Sequence, residues 1–346
     1  MNSSSHINGT MEEIRDEYFK VIIPVLVLSV FTMTVGTLGN CLVLYIFKFK
    51  YRQSNHRYFI ICLAACDLTG SLIGIPFLIA EMTLTYFYGT TVCKISRYLS
   101  HFLGFCSACI IMIIAIERYL KICKANGKQM SSNMARRLCY FSIIFGIIVS
   151  LPSAFLYGEN SSPKEISNLN VSKCHYQDKY KDTFFPWMYQ AFLVLWFIQA
   201  MITTCACYAQ IACRFRTRNA AQNIICQCVR IKNSLDSLDT SSGRCNQLAL
   251  KGTVINKSKS EIKAYRLAKM LFIVAAVYLC SYIPYFGASL DNITKQNSLL
   301  VERAFNLVCL KSFLINYFAN PIVYGLLDRA FRAECQNLFY RIIIKY

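Results

Sequence analysis

Apolar residues gather in seven long runs, at roughly 21–47, 58–80, 95–117, 138–157, 184–213, 267–290 and 304–327, with polar stretches between them. Each run reaches the ~20 helical residues that cross the hydrocarbon core of a bilayer. None shows the ten-residue alternation of a transmembrane barrel. The pattern therefore predicts an all-α membrane protein, a seven-transmembrane helix bundle over residues 21–327. After it, in 328–346, apolar residues recur at helical spacing with basic residues between them. That predicts a short amphipathic eighth helix on the membrane surface and a short tail; a frayed terminus is the alternative reading.

Composition agrees with lipid as the solvent. The 346 residues are 55% hydrophobic and 16% charged, where soluble domains carry about 25% charge. The net charge of +19 is unevenly placed. The loops near 48–57, 118–137 and 214–269 hold 22 Lys and Arg against 3 acids, whereas residues 1–20 and the loops at 81–97, 157–183 and 291–303 hold 10 against 11. Basic loops stay on the cytoplasmic side, which predicts a multi-pass plasma-membrane protein whose N-terminal segment 1–20 is extracellular. Basic residues confined to alternate loops argue against nucleic acid as a partner. Glycosylation sequons at Asn2, Asn8, Asn160, Asn170 and Asn292 all fall on the predicted outer side, and only Asn256 falls inside. Residues 1–20 include Glu12, Glu13, Asp16 and Glu17 and lack an apolar core, so the first helix is expected to act as its own insertion signal.

Of 18 cysteines, only Cys93 and Cys174 lie outside the apolar runs on the oxidising face. A disulfide between them would tie the third run to the second outer loop; two free thiols are the alternative. Cys226 and Cys228 lack a partner pair at zinc spacing, so no metal site is expected there. Cys335, just past the seventh run, is a candidate for palmitoylation. Ionisable residues within or at the edge of the spans are Asp67, Glu117, Arg118 and Lys311, and such residues are costly in lipid and usually functional. Lys311 can face inward or snorkel outward.

The ordered motifs resemble those of rhodopsin-like (class A) G-protein-coupled receptors, and the resemblance covers nearly the whole chain. They are Gly39-Asn40; Leu63-Ala64-Ala65-Cys66-Asp67; Cys93 followed 25 residues later by Arg118 in Glu117-Arg118-Tyr119; Tyr208; Tyr282-Ile283-Pro284-Tyr285; and Asn320-Pro321-Ile322-Val323-Tyr324 with Phe331 beyond it. The resemblance implies a receptor that binds an extracellular ligand and activates a heterotrimeric G protein, closest in character to neuropeptide receptors. Glu117 would neutralise Arg118 at rest; Tyr208 and Tyr324 would steady the freed Arg118; Pro284 and Pro321 would let their helices bend. Asp67, Ser107, Asn316 and Asn320 match the family's allosteric sodium pocket, whose oxygen ligands suit a hard cation. A water-filled hydrogen-bond network is the alternative, and no other cofactor is implied.

The sequence departs from the family in its middle. Helix 4 lacks tryptophan, Ala200 stands where a proline is usual, Ala108 replaces a bulkier residue, and Tyr278, Ser281 and Tyr282 replace Phe, Cys and Trp. Ala264 stands where some members carry an acid that locks Arg118, so raised basal activity is expected. Ser100 occupies the position of the aspartate that binds amines, and Leu314 that of the opsin lysine, which argues against both ligand classes. The ligand site is expected to be lined by Phe77, Glu81, Ser100, His101, Gly104, Phe192, Tyr282, Tyr285, Phe286, Ser289 and Leu310. Such an aromatic surface suits a peptide, with Glu81 as anchor for a basic one; a lipid or other small molecule is the alternative. His101 is expected to make a local hydrogen bond.

The third inner loop, about 214–263, is polar and basic, reads as disordered, and carries Ser234, Ser237, Thr240, Ser241, Ser242, Ser258 and Ser260, while 328–346 carries no Ser or Thr. Arrestin would therefore engage the phosphorylated third loop. Membrane lipids are the remaining partner. A transporter or channel is the distant alternative, but no internal repeat supports it. Four scattered histidines argue against an enzyme.

Overall fold

Within hydrocarbon every backbone polar group must be paired inside the protein, and the apolar runs meet that demand as helices. The computed structural model describes residues 2–51, 54–161, 172–235, 244–291 and 300–344; side chains are described there except at 2–15, 17, 84–89, 159–161, 172–173, most of 219–261, 290–291, 300 and 342–344. Six helices are long and apolar enough to cross a membrane: α1 Tyr18–Phe49, α2 Asn55–Thr83, α3 Thr90–Cys123, α4 Ser132–Leu156, α5 Phe185–Arg218 and α6 Ile262–Ser289. A seventh span, α7, is the bent pair Val301–Leu310 and Ser312–Leu327, meeting at 51°. The shorter α8 follows at Arg329–Ile344. The helical backbone overshoots the sequence boundaries. It starts at Asn2 before α1, runs on to Leu235 after α5, and resumes at Arg244 before α6. The disorder expected over 214–263 is thus met by helix in the described part of that loop.

The helices are sorted as a bundle in lipid requires. Val27, Leu38, Tyr140, Phe155, Leu195 and Phe305 are largely exposed on the outside, while Asn40, Asp67, Glu81, Glu117, Arg118, Lys311, Asn316 and Asn320 are 7% exposed or less. Polar groups inside and apolar groups outside invert the soluble pattern. α3 is the central post, packing on α4, α5, α2 and α6. Close packing of α1 and α2 on α7 depends on glycine. A Cβ on Gly39 would lie 2.7 Å from Pro321 Cβ, and one on Gly70 only 2.5 Å from the Tyr317 ring. Asn40 closes the same seam, donating from Nδ2 to Gly36 O at 2.9 Å and Tyr317 O at 2.7 Å.

Two local irregularities place functional residues. A π-helical turn, Gly70–Gly74, interrupts α2 just after Asp67, and such turns shift the helical register of the residues beyond them. In α7 the break falls at Lys311, whose φ/ψ of −112°/11° precedes the 3₁₀ turn Ser312–Ile315. On the outer side, β1 (Tyr157–Ser161) pairs antiparallel with β2 (Ser172–Tyr176), Tyr157 opposite Tyr176 and Glu159 opposite Cys174. The expected disulfide joins Cys93 to Cys174 and holds this hairpin against the outer end of α3. On the inner side, Asp328 Oδ1 accepts from the backbone N–H of Ala330 at 2.9 Å and Phe331 at 3.2 Å, capping α8. Its Oδ2 accepts from the Tyr51 hydroxyl at 2.5 Å. Burial, then this carboxylate, pushes the Tyr51 phenol up, so it stays a donor.

Candidate ligand cavity and cytoplasmic switch

A cavity opens between the outer parts of α3, α5, α6 and α7. Ser100, His101, Gly104, Tyr282, Tyr285 and Phe286 line it as expected. Phe77, Phe192, Ser289 and Leu310 do not. Phe192 is 39% exposed, because its neighbour Leu193 takes the inward position on α5. Ser289 Oγ is spent on Tyr285 O at 2.8 Å. Phe77 and Leu310 are half-buried away from the cavity wall. Arg97, Phe105, Leu193, Trp196, Phe197 and Phe313 line it unexpectedly, together with the substituted positions Ala108, Ala200 and Tyr278. A helical signal for them existed: 97, 100, 101, 104, 105 and 108 form one stripe of α3, and 193, 196, 197 and 200 one stripe of α5. His101 Nδ1 donates to Arg97 O at 2.9 Å, the local bond anticipated.

Glu81 is not a free anchor. Its Oε1 lies 2.7 Å from Arg97 Nη2 and 3.6 Å from Lys311 Nζ. Its Oε2 accepts from Ser96 Oγ at 2.5 Å. Both oxygens are occupied, and the expected basic ligand finds no acceptor there. Lys311 faces inward, 3% exposed. The chain reverses between α2 and α3, which brings Glu81 onto residues 15 and 16 positions later, a contact that helical periodicity does not foresee.

In the middle of the bundle the unusual residues bond to one another. Tyr278 Oη donates to Gly104 O at 2.7 Å, tying α6 to α3. Ser281 accepts from Asn316 Nδ2 at 2.7 Å, and its backbone oxygen accepts from Ser312 Oγ at 2.6 Å, tying α6 to α7. Asp67, 1% exposed, accepts from Asn320 Nδ2 at 2.6 Å. Of the expected sodium set, the structure thus brings Asp67 and Asn320 into direct contact, turns Asn316 towards Ser281, and leaves Ser107 buried on α3. Among the described residues no cationic side chain pairs with Asp67.

At the inner end Arg118 and Glu117 form a buried ion pair, 1% and 3% exposed. Tyr208 packs edge-on against Phe272 at 5.2 Å, and Tyr324 lies between Phe47 at 5.8 Å and Phe331 at 6.3 Å. Both hydroxyls are buried without a protein partner among the described residues. Tyr119 is half-buried, and Pro321 is buried against α1. Where an acid is absent at Ala264, its neighbour Tyr265 stacks flat on Phe215 at 3.6 Å, joining α6 to α5.

This arrangement, a cavity outside and a buried arginine pair inside, coincides with a family match. The family model of the seven-transmembrane receptors of the rhodopsin family matches residues 39–324. The chain belongs to that family. It is a G-protein-coupled receptor and not an enzyme. Human neuromedin-U receptor 2 is 24% identical over 96% of this receptor and 76% of its own length. The mesotocin receptor of Rhinella marina is 26% identical over 94% and 79%. The crystal structure of squid rhodopsin superposes with a TM-score of 0.68 at 20% identity, covering 94% of the receptor and 86% of that chain, which supports the fold. Cys335 packs partly buried against the bundle, and burial pushes its thiol up. Asn170 and Asn292, and the side chains of Asn2, Asn8 and Asn160, lie outside what the structure describes, as do the side chains of the third-loop serines and threonine.

Proposed function

We propose that this receptor sits in the plasma membrane with its N-terminus and the β1–β2 hairpin outside, and binds a peptide in the outer cavity. The observation that carries the reading is an aromatic cavity beside a disulfide-anchored hairpin, whose Tyr157 lies against the lining residues Arg97 and His101. Relatives that are receptors for neuromedin-U, mesotocin and isotocin support it. Binding there would draw α6 away from α3 and free Arg118 from Glu117. Tyr208 and Tyr324, with unpartnered hydroxyls, would then steady the arginine against the G protein.

Asp67 is the proposed seat of a resting-state cation. The residue types fit: a buried carboxylate without a cationic partner among the described residues must be neutralised by a bound cation or a proton. Sodium would take oxygen ligands from Asp67, Ser107, Asn316 and Asn320, with the asparagines presenting their amide oxygens. Arrestin is assigned to the third loop; alanine at Ser234, Ser237, Thr240, Ser241, Ser242, Ser258 and Ser260 abolishes recruitment, and unchanged recruitment refutes it. Glycans at the outer sequons and a palmitoyl group on Cys335 complete the reading. A peptide-library screen with a promiscuous G-protein readout tests the ligand class: activation by lipid fractions and by no peptide pool overturns it.

A further inference from the structure

The buried charges at the outer end of the bundle do not balance. Glu81 is one carboxylate facing two cations, Arg97 and Lys311, and both lie on the same oxygen, Oε1. Its second oxygen is held by Ser96. Among the described residues no other acid reaches Arg97 or Lys311, so the cluster carries a net charge of +1. The side chains of Glu81 and Lys311 are 5% and 4% exposed, and an uncompensated charge in such surroundings is costly.

Arg97 is the member that reaches the cavity. Its side chain remains 25% exposed. Its Nε has no protein partner among the described residues. The guanidinium also lies over the Tyr157 ring at 5.4 Å, which holds its plane in place. Tyr157 and Tyr176 are phenols that burial pushes up, so they add donors and no negative charge. A guanidinium is a planar fork of N–H donors whose geometry matches a carboxylate. Most of the rest of the wall is aromatic or small, including Tyr282, Tyr285, Phe286, Phe197, Gly104 and Ala108.

We infer that the outer cavity is a carboxylate site: Arg97, backed by Lys311, receives an anionic carboxylate of the ligand, with an aromatic group seated beside it. The inference rests on the reading of this cavity as the ligand site. It reverses the preference that Glu81 alone would suggest, because Glu81 is consumed in setting the two cations. The carboxylate can be a peptide C-terminus or an Asp or Glu side chain.

The first measurement needs no known agonist. Thermal unfolding of the purified receptor is followed with N-acetylphenylalanine and with N-acetylphenylalanine amide at equal concentration. The free acid raises the melting temperature of the wild type and the amide does not. Arg97→Gln abolishes the difference, and Arg97→Lys, which keeps the charge and loses the fork, retains part of it. Equal shifts from acid and amide, or no shift from either, overturn the inference. Should Arg97→Gln fail to fold, Glu81→Gln takes its place: it frees both cations and strengthens the response to the acid, and an unchanged or weaker response overturns the inference.

The second measurement separates the two sources. Three peptide pools rich in aromatic residues are compared in a nucleotide-exchange assay: free C-terminus, amidated C-terminus, and amidated C-terminus with an internal Glu. Either carboxylate-bearing pool exceeds the amidated one in potency by about tenfold, and which of them does so names the source. Greater potency of the amidated pool overturns the inference. Acid-dependent stabilisation with no activation by any pool upholds the carboxylate site and refutes the peptide reading alone.

Discussion

Two buried ion clusters lie near opposite ends of α3, and they are built on different plans. At the inner end Glu117 and Arg118 are adjacent in sequence, equal in charge and closed on each other. At the outer end Glu81 is shared by Arg97 and Lys311, three residues from three helices, with one positive charge left over and one cation on the cavity wall. A closed neutral pair is a latch, stable until something pulls it apart. An open, unbalanced cluster is a receptor for opposite charge. Between them lies Asp67, a carboxylate bonded to Asn320. The order along the bundle is therefore a cluster with surplus positive charge, a buried carboxyl group and a neutral pair. The buried outer cluster keeps a surplus charge that the buried inner pair lacks, so the two ends of one helix are suited to different partners.

The largest effect expected is at the latch. Arg118→Ala removes G-protein signalling to the level of vector-only cells while surface expression is retained. Residual signalling well above vector would show that the inner cluster is not the output. Next comes the buried carboxylate. Asp67→Asn eliminates the dependence of agonist affinity on sodium, a coupling of about tenfold in the wild type. A sodium effect that survives the substitution would move the cation elsewhere. Smaller again is the tie between the two levels. Tyr278→Phe deletes the bond to Gly104 O, worth about 1 kcal/mol net, and raises basal nucleotide exchange about fivefold. An unchanged basal rate would mean that α6 is not restrained there. The smallest lies outside the comparison and calibrates it. Asp328→Ala uncaps α8 at a cost of about 1 kcal/mol, seen as a modest fall in melting temperature with agonist affinity unaltered. A change in affinity would show that α8 reaches the cavity.

The seven spans, the disulfide and the inner pair were legible because each depends on local sequence. Apolar run length gives the spans, exclusion from those runs on the outer face isolates Cys93 and Cys174, and the motif Glu117-Arg118-Tyr119 points to the inner pair. The outer cluster was not legible, because the reversal between α2 and α3 and the break at Lys311 decide which charges meet. Neither leaves a periodic trace. More than half of the cavity wall was missed, partly for a subtler reason. Helical phase separates Phe192 from Leu193, and an assignment one residue out turns a lipid-facing ring into a lining one. Helix beyond 213 was missed because polar, basic residues carry no apolar stripe, although nothing in their chemistry forbids a helix.

The break in α7 acquires a mechanical meaning from its occupant. Lys311 is both the residue at which the axis turns through 51° and the residue whose ammonium rests on Glu81. A joint and its handle are the same amino acid. A ligand carboxylate that draws Arg97 off Glu81 changes the pull on that handle. The lower arm of the lever, Ser312–Leu327, carries Asn316, Asn320 and Tyr324 past Asp67 to the inner end of the bundle.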